Sequence, residues 1–230
     1  MKRLFLLVTV LALLASCQKE VGFESSTGGG GGTGGGGTGG GGGTTTDTYQ
    51  PVTRGSFWKY KDSALGGYIT TMTCTGQQKT IDNRVFDVFN SETTGQPSFE
   101  GYFYVKKPEY GMRAPVGGVG TLDYIYLNET AAVGHTWTNS MGTIGQFPAR
   151  FTGTIIEKNI SKTVAGKSFT NVMHTNLVLE YEVPFYGWTE VGNYEYFIAK
   201  NIGIIRIESD LGFPGATTRT VLDLIDYSIK

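Results

Sequence analysis

The chain has 230 residues, 35 of them glycine, and a formal net charge of −1. Setting aside Lys2 and Arg3 at the start leaves 17 basic against 20 acidic residues, or −3. That balance excludes nucleic acid as an expected partner, since such binding rests on clustered Lys and Arg meeting phosphates, and it supplies no basic patch for a membrane surface.

Lys2-Arg3 is followed by an apolar run from Leu4 to Leu14 and then by Ala15, Ser16 and Cys17. As a helix the run reaches only about 16 Å, short of a hydrocarbon core of about 30 Å. Residues 1–16 therefore read as a signal peptide rather than a permanent span. Leu14-Ala15-Ser16-Cys17 resembles the lipobox of bacterial lipoproteins. The resemblance implies that the Cys17 thiol takes diacylglycerol and that Cys17 becomes the first mature residue, its amine also acylated. Each buried CH₂ contributes about 0.8 kcal/mol, so two or more acyl chains anchor a protein stably where one does not. Gln18 stands where an aspartate would resemble the inner-membrane retention signal of enteric bacteria, so the outer membrane is the expected address. Gln18-Lys19-Glu20 loosely resembles an acidic surface-export tag but has one acid where that tag has several, which leaves the periplasmic side and the cell surface both open.

Residues 17–46 read as the lipidated cysteine and a tether. Positions 28–43 contain only Gly and Thr. Such a stretch has no apolar side chain to bury, and Gly loses the most backbone entropy on ordering, so a random coil is expected. Roughly 28 residues reach about 30 Å on average and about 95 Å when taut.

Residues 47–230 read as one domain. Their apolar pattern has period two far more often than 3.6. Segments 57–62, 70–75, 85–89, 102–105, 122–127, 150–157, 173–183, 194–199, 203–208 and 221–229 read as strands, with turn signals such as Asp82-Asn83, Gly95-Gln96-Pro97, Gly117-Gly118, Ala165-Gly166 and Pro214-Gly215 between them. Asn128 to Val133 is the single helix candidate, capped by Asn128 and stopped by Gly134. The predicted class is all-β: one antiparallel curved sheet forming an open or half barrel, with at most one short helix. Strand number alone does not separate barrel, half-barrel and sandwich.

Three segments carry a resemblance to a loose group of bacterial lipoproteins with an antiparallel open-barrel domain. Tyr49-Gln50-Pro51-Val52-Thr53-Arg54-Gly55-Ser56-Phe57-Trp58-Lys59-Tyr60 is similar to the group's "Tyr-x-Pro…Gly-x-x-Trp-x-Tyr" opening. Gly166-Lys167-Ser168-Phe169-Thr170-Asn171 is similar to its hairpin motif, and the stretch from Tyr194 to Arg206 to a segment near its end. Asn201 stands where glycine is common, a substitution that a turn tolerates because Asn accepts positive φ. The resemblance implies the fold. Related curved-sheet folds include carriers of lipids and lipoproteins, an analogy at the level of fold.

No catalytic or metal-ligating constellation is legible, so no enzyme activity, metal or cofactor is expected. His135 and His174 lack a His-x-x-x-His or cysteine partner. Cys74 has no intramolecular partner once Cys17 is acylated and reads as a buried, inert thiol. Glu180 and Glu182 share one strand face opposite Leu177, Leu179, Tyr181 and Val183, and so read as a solvated outer face. Asp62-Ser63-Ala64 resembles an O-glycosylation motif of some gut-type Gram-negative bacteria, which makes Ser63 a candidate modification site. Aromatic residues crowd the chain around Pro184 and Gly187. Most are expected in the core; Phe185, Tyr186 and Trp188, beside a turn, are the candidate ligand contacts. The expected partners are the membrane through the N-terminal lipid, a small hydrophobic or carbohydrate ligand, and envelope proteins. The expected function is a non-catalytic binding module, or alternatively a structural or assembly subunit of an envelope complex.

Overall fold

The computed structural model describes residues 47–63, 67–116, 120–213 and 216–230; the leader, Cys17 and the Gly/Thr stretch lie outside the described residues. The described chain forms twelve strands: β1 (Phe57–Asp62), β2 (Ile69–Ile81), β3 (Arg84–Thr93), β4 (Phe99–Lys106), β5 (Glu109–Val116), β6 (Gly120–Asn128), β7 (Thr136–Ile144), β8 (Phe147–Val164), β9 (Lys167–Val183), β10 (Gly187–Ala199), β11 (Gly203–Phe213) and β12 (Ala216–Ser228). They make one antiparallel sheet in the order β6-β5-β4-β3-β2-β1-β12-β11-β10-β9-β8-β7. The first and last strands therefore pair in the middle of the sheet, and the sheet curls until β6 and β7 face each other. The result is a nearly closed barrel with one unsealed seam.

The all-β curved sheet matches the sequence reading, with two further strands. β5 was hidden by Gly111 and Pro115, which interrupt its alternation, and β7 by its polar composition. Asn128–Val133 forms no helix. The Asn128 side-chain oxygen accepts the backbone N–H groups of Thr130 (3.2 Å) and Ala131 (3.3 Å), which closes a local turn in place of a helical ladder. Gly134 N–H then donates to the Ile155 carbonyl, and Ile155 N–H to the His135 carbonyl, so the chain after β6 commits its backbone to β8. β7 continues that ladder, which is why these two consecutive strands do not pair.

Most inward positions are apolar or aromatic. Trp58, Phe89, Tyr126, Phe151, Ile155, Leu177 and Leu224 are all buried in the core. Phe89 and Phe103 lie 4.7 Å apart between ring centroids, Tyr124 and Phe151 4.6 Å, and Tyr126 stacks on Tyr196 at 5.9 Å. The Tyr124 and Tyr196 hydroxyls bond each other at 2.8 Å, and burial pushes both pKa values up. The outward face carries ion pairs, among them Arg150–Glu180, Arg206–Asp223 and Arg219–Glu208. A transmembrane barrel has the reverse polarity, apolar outside and polar within.

Because neighbouring strands alternate in direction, the connections divide between two ends. The proximal end receives the chain at Asp47 and holds the loops at 82–83, 107–108, 129–135, 165–166 and 200–202. Thr48, Tyr49 and Gln50 are buried there and cap the barrel. Asn201, with the positive φ of 64° expected of it, accepts the Asp47 and Thr48 N–H groups on its side-chain oxygen and donates its own N–H to the Thr48 carbonyl. Asp47 also pairs with Lys107 and Lys200. The distal end holds the connections at 94–98, 145–146 and 184–186, together with residues 63 and 67–68.

Candidate functional site

The exposed apolar side chains are unevenly placed. Among the described residues ten large apolar side chains stand exposed, and seven of them lie at the distal end: Tyr68, Ile69, Phe99, Phe185, Tyr186, Trp188 and Leu211. Two open surface hollows share that end, one lined by Ile69, Thr71, Glu92, Thr93, Thr94, Gln96 and Ser98, the other by Lys61, Asp62, Ser63 and Gly67.

The most prominent rim element is the β9–β10 hairpin. Its strands pair as far as Val183 and Gly187, leaving Pro184, Phe185 and Tyr186 as the tip. Tyr186 N–H donates to the Val183 carbonyl at 3.1 Å, and Phe185 adopts φ 68°. Pro at the second position and positive φ at the third are marks of a type II turn, whose third position favours Gly or Asn. A bulky L-residue in that region costs about 1–2 kcal/mol. Phe185 is nonetheless there, fully exposed, with Tyr186 84% exposed beside it. Strain of this kind, combined with apolar exposure, has no counterpart in core packing.

Trp188 is braced rather than free. The Arg150 guanidinium lies 4.0 Å from its ring centroid. Arg150 also grips Glu180 through Nε (2.8 Å) and Nη2 (3.1 Å), and Thr152 donates to the same carboxylate at 3.0 Å. The Arg150 hydrogen bond holds the Glu180 pKa below the usual carboxylate value. Glu180 is thus a buttress on the outer wall, and Glu182 beside it is exposed.

The remaining candidates are dispersed. Ser63 sits at the distal end, its N–H donating to the Val221 carbonyl and its oxygen accepting the Val221 N–H at 3.0 Å; Ala64 of the triplet lies outside the described residues. Cys74 is buried against the Val52 carbonyl at 3.0 Å, and burial pushes its thiol pKa up. His135 is exposed in the proximal loop. Among the described residues no group of three or more His, Cys, Asp or Glu is arranged to hold a metal ion.

His174 has partners that its sequence context did not reveal. On the outer wall its Nδ1 meets Glu157 at 2.9 Å and its Nε2 meets Glu195 at 2.7 Å, while its ring stacks on Phe197 at 4.2 Å. Lys162 covers the same Phe197 ring at 3.7 Å. Burial alone would lower the imidazole pKa, but the hydrogen bonds with Glu195 and Glu157 outweigh it and hold the pKa above 6.5. A folded pKa above the unfolded one contributes stability that is fully present below pH 6.5 and is lost as pH rises through the folded value. The melting temperature should therefore fall across that interval, and His174→Gln should flatten the fall. An unchanged pH profile in the variant would exclude the pair of glutamates as its source.

No protein-family model matches the chain, and no curated protein matches it. Two crystal structures share its architecture. One is of a protein described as a lipoprotein from Parabacteroides distasonis, with a TM-score of 0.54 and 12% identity over 79% of this chain and 99% of that one. The other is of a protein described as exported and having a YmcC-like fold, from Bacteroides fragilis, with a TM-score of 0.50 and 12% identity over the same shares. At that identity the likeness establishes the fold: this barrel is of the kind found in those two proteins.

Proposed function

We propose that this chain is a lipid-anchored envelope protein, acylated at Cys17 and held on the outer membrane, whose barrel acts as a non-catalytic binding module through its distal rim. Phe185, Tyr186 and Trp188 make the contact, with a hydrophobic or carbohydrate ligand as the partner. The observation that carries this reading is the gathering of exposed apolar residues at the end opposite Asp47. Rim contact is favoured over carriage because a carrier needs an internal space of about 300–1,000 Å³, whereas the barrel axis is occupied by stacked rings such as Tyr126 and Tyr196.

Two measurements test the proposal in cells. Radiolabelled palmitate should enter the protein, and Cys17→Ala should abolish labelling and release the protein from the membrane fraction. A photo-reactive residue at Tyr186 should form adducts with envelope lipid or glycan that the same residue at Thr138, on the side wall, does not. Adducts of equal yield at both positions would sink the rim reading; a single defined protein adduct would favour the assembly role instead.

A further inference from the structure

We infer that the partner of the distal rim is the surface of a zwitterionic lipid bilayer, into which Phe185 and Tyr186 insert. The inference rests on the rim-contact reading and names its partner.

Shape is the first argument. The β9–β10 tip is a convex knob, with Phe185 fully exposed and Tyr186 nearly so. A knob cannot enclose a sugar, but it can enter a soft apolar phase. Distribution is the second. The exposed rim residues come from the start of β2 (Ile69, with Tyr68 before it), the start of β4 (Phe99), the β9–β10 tip and the end of β11 (Leu211). A single cleft in a protein partner would receive one knob. Residues spread along the end of a barrel suit a planar phase instead. Residue type agrees, since Tyr and Trp are favoured at membrane–water interfaces, where the ring is apolar and the polar atom stays wet.

Charge selects the headgroup. Within four residues of the distal strand ends, eight carboxylates stand against five basic side chains among the described residues, and Arg113, Arg150 and Arg219 are already paired with carboxylates. An acidic excess repels anionic lipid, so zwitterionic headgroups fit. The chain preceding the barrel makes the geometry feasible. Cys17 precedes Asp47 by thirty residues, a contour of about 100 Å. β9 is the second longest strand at 17 residues, or about 56 Å along its own axis. A barrel entered at its proximal end can therefore turn its distal rim toward the membrane that holds its anchor.

The test uses the mature chain carrying Cys17→Ser, which removes the acyl chains and leaves the rim to act alone. It should co-sediment with phosphatidylcholine vesicles, and replacing part of the lipid with phosphatidylglycerol should weaken binding. Phe185→Ala with Tyr186→Ala should lower the partition coefficient about tenfold or more. Val133→Ser, at the exposed proximal loop, should leave it unchanged. Phe185→Asn separates binding from folding: it relieves the positive-φ strain, so the melting temperature should rise by about 2–4 °C while partitioning falls. The assignment is overturned if the Cys17→Ser chain stays in the supernatant, if the double variant binds like the parent, or if binding requires anionic lipid. Should vesicle binding fail while a Tyr186 cross-link to glycan persists in cells, the bilayer is the wrong partner and the rim reading stands; loss of both removes both.

Discussion

Trp58→Ala lowers the unfolding free energy by about 3–5 kcal/mol, the range for removing a fully buried large aromatic side chain. Trp58 is 2% exposed on β1, the strand that joins the two halves of the sheet by pairing with both β2 and β12. Its ring packs against Phe89 at 5.5 Å, and its indole N–H donates to the Ile202 carbonyl at 2.6 Å. Gly203 makes the approach possible: at φ 106°, a Cβ there would lie 3.2 Å from Gln50 Oε1 and 3.4 Å from the indole nitrogen. One residue thus ties the first strand, the proximal cap and the β10–β11 turn together. Against a total stability of about 5–15 kcal/mol, the loss should move the urea midpoint down by about 2 M without changing the slope. Trp58→Phe keeps most of the packing but strands the Ile202 carbonyl, and should cost about 1–3 kcal/mol. A loss below about 1 kcal/mol for the alanine variant would mean that the core collapses to fill the space, and that the closure does not depend on this indole.

Gly153→Ala opens the seam and costs about 2–4 kcal/mol. β6 and β7 share no backbone ladder, so side chains bridge the gap. Trp137 Nε1 donates to the Ile125 carbonyl at 3.1 Å, Asn139 Oδ1 accepts the Ile125 N–H at 3.3 Å, and Thr175 Oγ1 donates to the Tyr126 carbonyl at 2.9 Å. Trp137 reaches across only because its ring lies on Gly153, its direct partner on β8. A Cβ at 153 would overlap Cε2 and Cζ2 of the indole and come within 2.8 Å of its nitrogen. The strand backbone is fixed by ladders on both sides, so the indole must leave and release Ile125. Amide exchange at Ile125 should accelerate and Trp137 emission should shift to the red. In a Trp137→Ala background the same Gly153→Ala change should cost almost nothing, because the clash has been removed. Additive effects in that double-mutant cycle would show that Gly153 acts through something other than the latch.

Local chemistry made part of this molecule legible in advance. In β1, Trp58 and Tyr60 alternate with Phe57, Lys59 and Lys61, and the structure buries the first pair as that alternation requires. β9 was legible for the same reason, with Leu177 and Leu179 inward and Glu180 outward. β7 was not. Its inward residues are Trp137, Asn139 and Met141, and an asparagine at the middle of an inward face breaks the apolar rhythm. Only the seam explains that asparagine, which meets the unpaired edge of β6. The Asn128–Val133 turn failed as a helix because one side-chain oxygen satisfied two backbone donors locally, at lower cost than nucleating a helix. Phe185, Tyr186 and Trp188 could be singled out from their place beside Pro184 and Gly187. Their exposure, the strained φ of Phe185 and the Arg150 brace under Trp188 depend on contacts across strands and are invisible to periodicity.

Sequence alone determined the all-β class, most of the strands and which face of each is apolar, because a pleated strand writes its burial into every second residue. Tertiary structure alone decided where the sheet closes, which side chains bridge the seam, that His174 lies between two glutamates, and that the exposed aromatic residues gather at the end opposite Asp47. Each of these depends on residues far apart in the chain meeting across the barrel, and the sequence period of a single strand carries no record of its partner.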